Sequence, residues 1–142
     1  MATQAELVTV IQTESERLQQ YLVALPQGAW TKPSACALWG IRDVVTHFTR
    51  PPQAYTRRIT HGLRGDTSTP EGLPSPHLWK THSEDERRQQ QMQMAQAPFV
   101  RREWSSTDLV SEFRQAWEPF PHFIATLSAH EWDQSSSPHR TR

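Results

Sequence analysis

Two stretches of this chain carry apolar residues at helical spacing, and a shift of 102 residues lays one on the other without a gap. Leu7 falls on Leu109, Val8 on Val110, Ile11 on Phe113 and Leu18 on Phe120. Tyr21 falls on Phe123, Leu22 on Ile124, Leu25 on Leu127 and, past both helix ends, Trp30 on Trp132. Amphipathic helices resemble one another, but nothing in amphipathicity demands a tryptophan at a shared distance beyond the last turn. Each stretch must bury one stripe against another element, so the pattern points to helix packed on helix and an all-α fold.

The remaining elements follow from punctuation. A Thr3-x-x-Glu6 capping box opens the first helix, and Pro26 and Gly28 end it. The second helix starts near Trp39 and Gly40, with Ile41, Val44, Val45 and Phe48 as its buried stripe and His47 on the flank. Pro51 and Pro52 lack the donors that would bond the carbonyls of His47 and Phe48, which predicts a break just after His47. Tyr55, Ile59 and Leu63 then resume helical spacing up to Gly65, and 66–76 reads as a loop. Ser83 and Glu86 form another capping box, opening a polar stretch over 87–96 that is either a solvated helix or disordered. The last helical pattern covers 107–129, with a kink expected at Pro119 and Pro121. A polar tail, 135–142, shows no periodicity and leaves 1–134 as one helical domain.

Charge and composition exclude several functions. Lys+Arg and Asp+Glu both number 15, so no basic field exists to collect phosphates and nucleic acid is not an expected partner. No apolar run approaches the ~20 residues of a membrane span. The N-terminus shows neither a basic n-region nor an apolar h-region, so no signal peptide is expected. A single cysteine, Cys36, forbids an internal disulfide and fits a reducing compartment, which gives a soluble, cytoplasmic protein as the expectation.

Among the residues able to carry chemistry, His47 stands first. A catalytic zinc takes three protein ligands and leaves a position open. A histidine on the flank of an apolar helix stripe could meet a neighbouring helix as a ligand; it could equally be a half-buried histidine hydrogen-bonded inside a bundle. The other histidines do not complete a set by spacing. His61 lies roughly 21 Å along a continuous helix from His47. His77 and His82 fall on different helical faces, His122 and His130 are about two turns apart, and His130-Glu131 lacks the second histidine of a His-Glu-x-x-His motif. His139 sits in the tail, with nothing local to support it as a ligand. Cys36 reads as a buried structural cysteine or as a thiol activated by the helix start after it. Neither a Ser-His-Asp signature nor a Gly-rich phosphate loop is present.

Leu25-Pro26, Trp30, Pro33-Ser34-Ala35-Cys36, and Trp39 followed by Ile41-Arg42-Asp43-Val44-Val45-Thr46-His47 together resemble the mycothiol-dependent maleylpyruvate isomerase family, within the DinB-like (YfiT-like) metal-binding superfamily. Leu63-Arg64-Gly65-Asp66, Glu71-Gly72 and Leu127 to Trp132-Asp133 are similar to later landmarks of that family. The resemblance implies a DinB-like four-helix up-down bundle holding a divalent metal, often zinc, with His47 as first ligand. It implies the other two ligands on a fourth helix, as a Glu/His-x-x-x-His pair for which this sequence has no residues. The internal repeat agrees, since it puts the counterpart of His47 near position 149, past Arg142. The expectation is therefore a bundle lacking most or all of its last helix. Its implied ancestry is a thiol-dependent isomerase or transferase using a small thiol such as mycothiol, with no catalytic residue assigned. The competing expectation is a non-catalytic module that forms a homodimer or docks a partner helix.

Overall fold

A computed structural model describes residues 2–66, 68–73 and 83–136. Helix α1 spans Gln4–Ala24, α2 Ile41–Phe48, α3 Pro51–Leu63, α4 Glu84–Gln96, α5 Ser106–Trp117, α6 Pro119–Ala125 and α7 Ala129–Ser136. Short 3-10 segments, Gln27–Ala29 and Ala97–Arg101, follow α1 and α4. Among the described residues there is no strand, only an isolated bridge between Pro33 and Gly40. None of the described helices is long and apolar enough to cross a membrane. The all-α expectation holds, and the packing is that of a DinB-like helical bundle.

The sequence repeat is a structural one. The Thr3 hydroxyl accepts the Glu6 N–H at the start of α1, and the Ser105 hydroxyl accepts the Asp108 N–H at the start of α5. These caps, and the first helical residues Gln4 and Ser106 after them, are separated by the shift seen in the sequence. The two halves then lie antiparallel. At one end the Gln4 amide donates to the carbonyls of Ile124 (2.7 Å) and Leu127 (2.9 Å). At the other, Gln27 and Ser106 exchange hydrogen bonds of 2.8 and 3.1 Å.

Leu22, Trp30, Val45, Leu109 and Phe113 form the centre of the core, with Leu25, Val110 and Trp117 packed around them. These residues come from α1, α2 and α5 and from the turn after α1, so α5 is the element on which the others meet. The proline breaks occur where the sequence puts them. Helix α2 ends at Phe48, and Pro51 and Pro52 open α3 at positions where a missing donor costs nothing. Glu118 keeps helical angles between α5 and α6 and donates to the Arg114 carbonyl, so the chain continues through that break with only the proline donors lost.

One expectation needs correction, and one open choice is decided. The last helical pattern does not run unbroken to 129: α6 ends at Ala125, and a further helix, α7, begins at Ala129 and packs against α3. Its start is a reciprocal box between Ser128 and Glu131 (2.8 and 3.2 Å), a Ser-x-x-Glu signal present in the sequence. The polar stretch after Ser83 is a helix with no buried residue, of the solvated kind.

The exposed carboxyls of Glu6 and Glu131 titrate low. Hydrogen bonds from the Thr3 backbone and then its side chain hold the Glu6 carboxyl below the usual range. A depressed value means that the cap stabilises the fold above the ordinary carboxylate range and fades as pH falls through the folded-state value. Thr3→Ala should move the Glu6 pKa back toward 4.5, read by NMR titration of its side-chain carbonyl. Phe113→Ala should cost about 3–5 kcal/mol in urea unfolding, because its ring is wholly enclosed.

Candidate functional site

The loop before α2 is held tightly enough to set the helix start. The Ile41 N–H donates to the Lys32 carbonyl and the Arg42 N–H to that of Trp30. The Ser34 hydroxyl donates to the Trp39 carbonyl at 2.8 Å and accepts the Cys36 N–H. Gly40 is the N-cap, and a Cβ there would stand 3.3 Å from the Lys32 carbonyl, closer than most side chains tolerate. Leu38 adopts a left-handed φ of 70°, costly for a leucine, and its carbonyl accepts from Arg102.

Asp43 completes this start. Its carboxylate is 2% exposed and accepts the Gly40 N–H at 2.9 Å. Arg102, from the segment after α4, reaches it with Nε at 3.2 Å and Nη2 at 3.0 Å, while its guanidinium lies 3.5 Å over the Phe99 ring. A buried carboxylate needs such partners to offset lost hydration. The sequence reading passed over both residues. An aspartate three positions after a glycine cap was the available signal for Asp43; Arg102 had none.

His47 is half-buried on α2. Its ring lies 5.0 Å from that of Trp39, tilted by 45°, and 5.9 Å from that of Phe48, edge-on. Trp39 is fixed in turn by donating its Nε1–H to the Ala95 carbonyl at 2.6 Å, which anchors the end of α4. The Phe48 carbonyl accepts the Trp117 indole N–H at 2.8 Å. The imidazole thus sits in an aromatic corner formed by the Trp39 and Phe48 rings.

Among the described residues, no three His, Cys, Asp or Glu side chains come close enough to share a metal ion. The described donors near His47 therefore do not by themselves make up a three-ligand zinc centre. His61 is half-buried at the end of α3, with Nδ1 3.3 Å from Asp66 Oδ2: near enough for ionic attraction, without hydrogen-bond geometry. The Asp66 carboxyl is lowered chiefly by hydrogen bonds from Ser68, with a smaller contribution from His61. His122 and His130 are exposed on α6 and α7. His77, His82 and His139 lie outside the described residues.

Cys36 corrects a further expectation. It is exposed, not a buried structural cysteine, because the loop turns on the Ser34 hydroxyl before α2 begins and leaves the thiol without a wall to pack on.

Replacing Trp39 tests how the His47 corner is built. Trp39→Ala should move the His47 ring-proton resonances downfield by removing the indole ring current. Trp39→Phe should keep much of that shift while costing about 1 kcal/mol for the lost hydrogen bond to Ala95, measured by chemical denaturation.

Comparison with curated proteins and with solved structures found no match. The sequence model of the mycothiol maleylpyruvate isomerase N-terminal domain, by contrast, matches residues 11–141. That range takes in nearly the whole chain, including the Trp39-to-His47 string and both halves of the antiparallel helix pair. The chain belongs to the family of the mycothiol maleylpyruvate isomerase N-terminal domain.

Proposed function

We propose that this chain is a metal-binding helical domain of thiol-dependent isomerase or transferase ancestry, in which His47 is one ligand of a divalent metal, zinc first. The observation that carries this reading is the family match spanning the helix on which His47 stands. Mycothiol, named in the family description, is the small thiol such a centre would serve. The described residues bring no three ligating side chains together, so catalysis by them alone is not part of the proposal and no reaction step is drawn. The exposed, unpaired Cys36 supports a reducing, cytoplasmic setting.

A second reading, a non-catalytic module that associates through a helix face, is favoured by one specific observation. Helix α1 leaves Val10, Leu18 and Tyr21 exposed on neighbouring turns.

Native mass spectrometry of the purified chain, after zinc loading and desalting, tests the first reading. The expected result is zinc bound once per chain and lost in His47→Ala, with circular dichroism showing the variant folded. A chain that emerges metal-free, or one whose zinc survives His47→Ala, would overturn the assignment of His47.

A further inference from the structure

The two halves of the repeat are buried unequally. Leu109, Phe113 and Phe120 are 0%, 1% and 7% exposed. Helices α2 and α3 lie across that side: Val45 joins the cluster of Leu109 and Phe113, and the Tyr55 ring stands 6.2 Å from that of Phe120. Their counterparts on α1 have no such cover among the described residues. Leu7 and Ile11 are half-buried and Leu18 is 37% exposed, while Tyr21, the counterpart of half-buried Phe123, is 63% exposed. Helix α1 packs on α5 and α6 through the adjoining face, which carries its buried residues Ser15 and Leu22.

The open face has a regular register. Leu7, Ile11, Glu14, Leu18 and Tyr21 follow one another at alternating steps of four and three, the spacing of a two-helix seam. Glu14 is the one polar residue in that series, and Arg17 on its border pairs with it at 3.2 Å within the same helix, both side chains exposed.

We propose that this face is the contact between two copies of the chain, α1 against α1 in antiparallel register; the proposal rests on the self-association reading above. With the dyad midway between Glu14 and Leu18, Ile11 faces Tyr21 and Glu14 faces Leu18. Glu14 of one copy then comes within reach of Arg17 of the other, and the dyad repeats the pair. A parallel pairing would set Glu14 against Glu14, a like-charge contact. The antiparallel arrangement satisfies apolar layers and charges together, and its twofold closes the assembly at two.

Sedimentation velocity of the full chain, from low to high micromolar concentration, tests this. The expected result is a dimer that Leu18→Glu converts to monomer with its helical circular dichroism unchanged. Glu14→Arg should weaken dimerisation about tenfold by facing Arg17 of the second copy, and Glu14→Arg with Arg17→Glu should restore it. A monomer at every concentration overturns both this contact and the self-association reading. A dimer that folded Leu18→Glu leaves intact overturns this contact and leaves self-association standing elsewhere. Failure of the paired charge swap to restore what Glu14→Arg lost overturns the antiparallel register.

Discussion

Leu109 and Phe113 lie on α5 where α1, α2 and the turn bearing Trp30 all converge. The shorter of these elements could not be stable alone, since isolated helices below ~12–15 residues are marginal in water. Helix α2 has only the eight residues Ile41–Phe48 and contributes Val45 to the cluster. Without the two enclosed side chains of α5, α2 would lose the apolar seat for Val45, and His47 would lose part of what positions it.

Packing alone does not say where α2 starts. That is decided by polar groups: the buried Asp43 carboxylate, the Gly40 N–H it caps and the Arg102 guanidinium that crosses from the segment after α4. Desolvating a carboxylate costs several kcal/mol unless it is paired, so these contacts tolerate little drift. They also hold the carbonyl of left-handed Leu38, stabilising a backbone conformation that leucine avoids. The aromatic corner around His47 follows, because Trp39 is one residue from Leu38 and is pinned to Ala95 at its other end.

Much of the helical framework was legible in the residues. Leu109 and Phe113 stand at core spacing, Pro51 and Pro119 mark the breaks, and Thr3 and Ser83 announce their helices through local capping. The site was legible only in part. His47 could be placed on a helix flank, yet Arg102 is 59 residues from Asp43, and no local pattern marks a pair that separation brings together. Residue spacing left Cys36 open between a buried and an activated thiol, and only the turn at Ser34 shows the thiol facing out.

The sequence by itself determined an all-helical chain, its internal repeat and its family, because periodicity, caps and proline are short-range properties that act residue by residue. The tertiary structure alone decided which half of the repeat is covered. Leu18 and Phe120 occupy equivalent places in the pattern, yet the phenylalanine ring is enclosed between Tyr55 of α3 and Trp117 of α5 while the leucine looks outward. A hydrophobic stripe records that a face is suited to burial; whether it is buried depends on which other elements the chain can bring to it.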